Sequence, residues 1–324
     1  MTFIAIGLTI SAMAEALVVF HLLPKFSMIA LFGALEPLRV ANRFAPGSFA
    51  WTFTSDTGEA VSASNDIPVS ATKRLNEIDT AAMVVVCASY EPEKAPRKLV
   101  MKALHRLAAR KVVIAGIDTG PFFLAWAGLL DGRRATCHWE SLPGFRESFP
   151  KVQVVQSLYE FDGDRLTCAG GASTIDMMLA WINQRLGRTI AAQVADQLLH
   201  FRLPQGQSQA RLPAASRYGT DDPRLLAAIK MMEEQVEEPV SAGELAKVAG
   251  VSLRQLERLF HSAIGQRLMG FYLRLRLERA QNLITYSTLT MQEIAVATGF
   301  SSLPEFSRAF RRICGSSPTQ FRKR

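Results

Sequence analysis

Residues 241–252 read SAGELAKVAGVS, and residues 290–301 read TMQEIAVATGFS. The two stretches share one grammar. Ser241 and Thr290 each stand three residues before a glutamate, Glu244 or Glu293, and a glycine, Gly250 or Gly299, follows six residues after that glutamate. Such a pair is a capping box: the hydroxyl accepts from an orphan amide of a helix start, and the carboxylate reaches back to the amide of the hydroxyl residue. The glycine suits the positive φ at which helices end. A second box opens at once in each copy, Ser252 with Gln255 and Ser302 with Glu305. Pro304 falls in a first helical turn, where its missing amide costs little. The spacing predicts helix, tight turn, helix over 241–262 and again over 290–313, which is the helix-turn-helix motif. The correspondence continues through Leu259-Phe260, Gly265 and Phe271 in the first copy and Ala309-Phe310, Gly315 and Phe321 in the second. From Phe260 to Gly265 and from Phe310 to Gly315 is five residues, and from Phe260 to Phe271 and from Phe310 to Phe321 is 11. Between the glycine and the Phe pair the second copy is one residue longer, which a turn can absorb, and four boxes across such an internal repeat identify paired structural units rather than chance neighbours.

Between the copies, Leu273, Leu277, Ala280 and Ile284 recur at helical spacing, with Arg274, Arg276 and Arg279 around the remaining surface. A stiff connecting helix would hold two readers for successive major grooves on one face of DNA, about 34 Å apart. A recognition helix presents its first turns to base edges. In the first copy this exposes Arg254, Gln255, Glu257 and Arg258, and turns Leu253, Leu256, Leu259 and Phe260 to a core. In the second the outward set is Ser302, Leu303, Glu305 and Arg308. Arg254 or Arg258 suits guanine, Gln255 adenine, Leu303 a thymine methyl group and Glu305 a cytosine amino group. Arg311, Arg312 and Lys323 suit phosphates. Charge agrees with a polyanionic partner: residues 240–324 carry 13 basic and five acidic side chains, whereas residues 1–187 carry 18 and 17.

At 48% hydrophobic and 20% charged residues the chain is ordinary globular material, which excludes disordered and fibrous classes. Its 324 residues are enough for two domains. Cys87, Cys137, Cys168 and Cys314 form no C-x-x-C pair, so neither a disulfide scaffold nor a structural zinc site is expected, and a reduced, cytoplasmic setting fits. No metal or cofactor is expected. The apolar run over 3–23 contains Glu15 near its middle and no preceding Lys or Arg, so a buried first strand over 17–23 is expected in place of a membrane span.

The first part of the chain alternates apolar runs with helical patterns. Strands are expected over 17–23, 51–54, 83–87 and 111–117, helices over 29–42, 96–110 and 174–186, and a hairpin at 159–169 around Gly163. In the helix over 96–110, Leu99, Met101, Ala103, Leu104 and Leu107 are expected to face a core. Alternating strands and helices imply a mostly parallel sheet covered on both faces. The domain reading is an extension over 1–16, an α/β domain over 17–187, a helix and linker over 188–220 with the linker proper at 204–220, and an all-helical domain over 221–324.

On Gly299-Phe300-Ser301-Ser302, Phe306-Ser307-Arg308-Ala309-Phe310 and the Gly315, Pro318, Phe321 spacing, residues 224–324 resemble the AraC/XylS family of transcription regulators. The resemblance implies an all-α domain whose two helix-turn-helix units bind promoter DNA. Residues 17–187 resemble the class I glutamine amidotransferase-like fold of the PfpI type, a flavodoxin-like sandwich. Within it they look most like the sensor domains of AraC-type regulators of amino-acid and quaternary-amine catabolism. Segments 32–43 (with Glu36-Pro37-Leu38-Arg39), 115–121, 135–140 and 167–172 carry that likeness. Enzymes of the superfamily hold a nucleophilic Cys at a strand-to-helix elbow, where this chain has Asp118, a far weaker nucleophile than a thiolate. His138 matches the superfamily's histidine, and Cys137 beside it is expected to point to the opposite face of a strand. The resemblance thus implies a pocket without the reaction, at the carboxyl ends of the strands. Asp118, His138, Trp139, Glu140, Glu36 and Tyr90 would line it, and carboxylates beside aromatic faces suit a cationic amine. The implied protein is a transcription activator. Its partners would be promoter DNA, a small cationic amine or amino-acid-type metabolite, a second copy of itself and RNA polymerase, with no membrane. The rival readings are an amidase- or peptidase-like enzyme fused to a DNA-binding domain, and an architectural DNA-binding protein without a ligand.

Overall fold

The computed structural model describes residues 15–95, 97–200, 218 and 220–323. The expected extension over 1–16 lies outside these residues except for its last two, and the linker at 204–220 except for Tyr218 and Thr220. The chain divides into two units, one of Met1–His138 with Lys151–Ser208 and the other of Trp139–Pro150 with Gln209–Arg324.

The first unit begins β1 (Ala16–Leu22), α1 (Met28–Phe44), β2 (Phe49–Ser55), β3 (Val61–Ser62), β4 (Pro68–Val69) and β5 (Lys73–Arg74). It goes on through β6 (Met83–Ala88), α2 (Arg97–Ala109), β7 (Val113–Asp118), α3 (Pro121–Trp126) and β8 (Arg134–Ala135). After α4 (Leu142–Ser148), which belongs to the second unit, come β9 (Gln153–Val154), β10 (Tyr159–Asp162), β11 (Arg165–Cys168), α5 (Ser173–Leu186) and α6 (Arg188–Gln197). Seven strands form one sheet in the order β10-β11-β7-β6-β1-β2-β5. All neighbours are parallel except β10, which returns antiparallel to β11. Every residue of β6 is buried, as a central strand with both faces covered requires. Val18, Phe20, Leu22, Val85, Cys87, Ala115 and Ile117 face a core closed by Leu31, Leu35 and Leu38 of α1 and by Met178, Trp181 and Ile182 of α5. The alternate residues Val19, Val84, Val86 and Ile114 are equally buried, and α2 and α3 pack against β7.

Two local expectations need correction. In α2 the buried set is Val100, Ala103, Leu104 and Leu107, while Leu99 is 60% exposed and Met101 only half-buried. Positions i, i+3, i+4 and i+7 make one helical stripe, and Val100 starts it where Leu99 cannot. The segment after Ala135 is not a strand, so Cys137 and His138 are not alternating strand neighbours; Cys137 is buried and its thiol donates to the His138 carbonyl at 3.6 Å.

In the second unit, α4 is followed among the described residues by α7 (Pro223–Glu234), α8 (Ala242–Val248), α9 (Leu253–Ile264) and α10 (Leu268–Tyr286). Then come α11 (Met291–Ala297), α12 (Leu303–Cys314) and α13 (Pro318–Arg322). Helix α10 serves two cores. Its first half gives Leu268, Phe271, Tyr272 and Leu275 to a cluster with Leu225, Ile229, Leu245, Leu256 and Phe260. Its second half gives Leu277, Ala280, Leu283 and Ile284 to a cluster with Ile294, Phe300, Phe306 and Phe310. The two phenylalanines of each sequence copy thus anchor matching cores at opposite ends of one helix.

Candidate functional site

Two local designs bear on function. The first is the pair of helix-turn-helix units. At α8 the Ser241 side chain accepts from the Glu244 amide and the Glu244 carboxylate accepts from the Ser241 amide at 2.8 Å. Ser252 with Gln255 and Thr290 with Glu293 close in the same two-way manner. The fourth box is one-sided: Ser302 caps the Glu305 amide at 3.4 Å, but the Glu305 carboxylate accepts from the Ser301 hydroxyl at 2.6 Å. A further two-way box, Ser317 with Gln320, opens α13. Gly265 and Gly315 end α9 and α12 in the left-handed region, at φ 71° and 75°.

On α9, Arg254, Gln255, Glu257 and Arg258 are exposed and Leu256 and Phe260 are buried. Leu253 departs from the expected inward set, being 40% exposed at the first turn. Gln255 is committed in part, because its carbonyl oxygen accepts from the Ser252 amide at 3.0 Å. On α12, Glu305 and Arg308 are exposed, Ser302 is half-buried, and Leu303 is half-buried against the Phe306 core. Arg311, Arg312 and Lys323 are exposed. Two arginines of α10 do not merely decorate its surface: Arg276 and Arg279 are half-buried, and burial pushes the Arg279 guanidinium down to about 10.

The second design is the elbow where β7 meets α3. Only Thr119 and Gly120 separate Asp118 from Pro121. Asp118 sits at φ 62°. A non-glycine residue there costs on the order of 1–3 kcal/mol, least for Asp and Asn. The turn is held on every side. The Thr119 amide donates to the Ala88 carbonyl at 3.3 Å, the Thr119 hydroxyl to the Ser89 carbonyl at 2.6 Å, and the His138 amide to the Asp118 carbonyl at 3.0 Å. At Gly120 a Cβ would lie 2.3 Å from the Val86 carbonyl oxygen, so no side chain fits. Asp118 is 7% exposed, and Gly170 lies directly against its Cβ.

The other expected pocket residues are distributed. His138 is half-buried next to the elbow backbone. Trp139 and Glu140 belong to the second unit. Glu36 pairs with Arg39 at 2.7 Å, one turn along α1, and Tyr90 is 59% exposed. Sequence reading missed Thr119, whose hydroxyl ties the elbow to the neighbouring strand end. It also missed His21, wholly buried near the end of β1, whose Nδ1 lies 3.2 Å from the Thr54 hydroxyl oxygen and whose Nε2 lies 3.6 Å from Asp56. The signal for His21 was a single imidazole inside an otherwise apolar strand. Burial pushes the Cys168 thiol up to about 12 and raises Cys87 as well, so neither supplies a thiolate near neutrality. Among the described residues, no group of three or more His, Cys, Asp or Glu side chains is placed to hold a metal ion, and no helix is long and apolar enough to cross a membrane.

Residues 18–184 match the DJ-1/PfpI family, and residues 245–324 match a helix-turn-helix domain. The chain is 41% identical over 303 residues to the HTH-type transcriptional regulator CdhR of Pseudomonas aeruginosa, covering 94% of this chain and 90% of that protein. It is 38% identical over 307 residues to the HTH-type transcriptional regulator GlxA of Rhizobium meliloti, covering 94% and 95%. The crystal structure of an AraC family transcriptional regulator from Pseudomonas putida aligns with a TM-score of 0.53 at 27% identity, over 57% of this chain and 100% of that one.

Proposed function

The chain belongs to the DJ-1/PfpI family and to the HTH-type transcriptional regulators, and on that premise we propose that it is a metabolite-controlled activator. Its first unit binds a small cationic amine or amino-acid-type metabolite at the Asp118 elbow. Binding changes how a homodimer sets its reading helices, α9 and α12, on promoter DNA, where RNA polymerase is then engaged. The ligand must prefer one of two arrangements, since equal affinity for both would shift nothing.

The observation that carries the reading is Asp118 itself. A left-handed, fully braced elbow is retained, yet the side chain it presents is a carboxylate. A strained backbone kept without a nucleophile favours recognition over turnover, and a carboxylate there complements a cation. Calorimetric titration with arginine, glycine betaine and carnitine tests it. Binding heat from one of them, lost in Asp118→Ala, is expected. Silence from every cationic amine overturns the ligand assignment, and substrate turnover abolished by Cys137→Ala would restore the enzyme reading.

A further inference from the structure

Gly299 ends the first helix of the second reader at φ +75°, and a Cβ there would lie 2.3 Å from Pro239 Cγ, 2.5 Å from its Cδ and 2.7 Å from the Val236 carbonyl oxygen. Val236 and Pro239 belong to the loop that leads from α7 into the first reader. The turn of one reader therefore rests on the entry loop of the other. That loop is tied to α10 by Tyr272, whose hydroxyl donates to the Gln235 carbonyl and accepts from the Val240 amide at 3.4 Å. One helical turn further on, Arg276 donates through Nε to the Thr298 carbonyl at 2.8 Å and through Nη2 to the Gly299 carbonyl at 2.6 Å. Its guanidinium also lies 4.3 Å from the centre of the Phe300 ring. Residues four apart share one face of a helix, so a single face of α10 holds the first reader's loop and the second reader's turn together.

We propose that Tyr272, Arg276 and Gly299 form a clamp that fixes the spacing and rotation of the two readers, and so sets the operator spacing the protein accepts. The inference rests on the reading of α9 and α12 as DNA readers. A shared helix by itself fixes the distance between two cores but leaves each free to rock on its own packing. A second connection, away from the helix axis, closes the frame. The Arg fork meets carbonyls at a helix end, which have no partner inside the helix, and the flat guanidinium stacks on Phe300. Lysine would keep the charge but supply neither the fork nor the stacking plane. These are positioning residues, because none of them lies on an outward face of α9 or α12.

The test uses the full chain. A duplex enriched by the wild-type protein from a randomised pool is remade with one, two or five base pairs inserted between its two contact blocks. Each added pair rotates one block by roughly 35° relative to the other. The wild type is expected to lose at least about tenfold in affinity on the first insertion. Arg276→Ala and Tyr272→Phe are expected to lose less than about threefold, with Arg276→Lys between them. The readout is the ratio between duplexes, which a partly unfolded sample leaves unchanged because it weakens binding to every duplex alike. Tyr272→Phe keeps the buried ring, so it decides the matter if Arg276→Ala fails to fold. Equal ratios in variants and wild type, or a wild type indifferent to insertion, overturn the clamp. Failure of the wild type to enrich any duplex would instead remove the DNA-binding reading on which the clamp depends.

Discussion

Asp118 combines a left-handed backbone, near-complete burial and a carboxylate at the turn between β7 and α3. Asn shares with Asp its tolerance of the left-handed region, so Asp118→Asn removes the charge and keeps the elbow. The far-ultraviolet circular dichroism of this variant should match that of the wild type. Amine binding measured by calorimetry should weaken by about 1.5–3 kcal/mol, the worth of a hydrogen bond to a charged group. On the reading helices, Arg258 and Arg308 are exposed, while the neighbouring Gln255 accepts from the Ser252 amide and Glu305 from the Ser301 hydroxyl. Arg258→Ala and Arg308→Ala are each expected to relax specificity at one base pair, costing about 1–3 kcal/mol there in competition binding. Uniform weakening on all sequences would reassign them to phosphates. The carboxylate at the elbow is legible from the sequence. The elbow's bracing by Thr119 is not, because a hydroxyl reaching a carbonyl thirty residues earlier leaves no local pattern.

At the scale of single elements, the capping boxes of the readers were legible because every partner lies within three residues. Ser241→Ala and Thr290→Ala should each cost about 1 kcal/mol in chemical denaturation. Glu244 and Glu293 are held below the ordinary glutamate value of 4.5, first by the amides of Ser241 and Thr290 and then by their hydroxyls. A folded value below the unfolded one means a contribution that is complete above about pH 4.5 and lost as pH falls through the lower folded value. The melting temperature of the wild type should therefore fall more steeply below that pH than that of Glu244→Gln, which keeps a capping side chain without the titration. Where a competing hydroxyl stands one residue away, as Ser301 does beside Ser302, spacing alone names the wrong donor to the Glu305 carboxylate. In α2 it chose Leu99 over Val100, since two overlapping apolar stripes differ by only one position and the sheet decides between them. Arg276 looked like surface charge because its partners, two backbone carbonyls, carry no sequence signature.

Across the whole molecule, the alternation of strand and helix and the internal repeat made both architectures readable: a parallel sheet for the first unit, and twin cores on one helix for the second. Strand order comes only from the structure, because it is set by contacts far apart in the chain. A basic excess confined to residues 240–324 predicts that DNA affinity falls steeply with salt. Arg311→Ala and Arg312→Ala should each lower the slope of log affinity against log salt by roughly one, with sequence preference unchanged. The central claim is that one polypeptide presents two readers to one face of a duplex. Hydroxyl-radical and methylation footprinting on an enriched operator tests it most directly. The account predicts two protected major-groove blocks per subunit, about 10–10.5 base pairs apart on the same face. A single block per subunit, or two blocks on opposite faces, would contradict it.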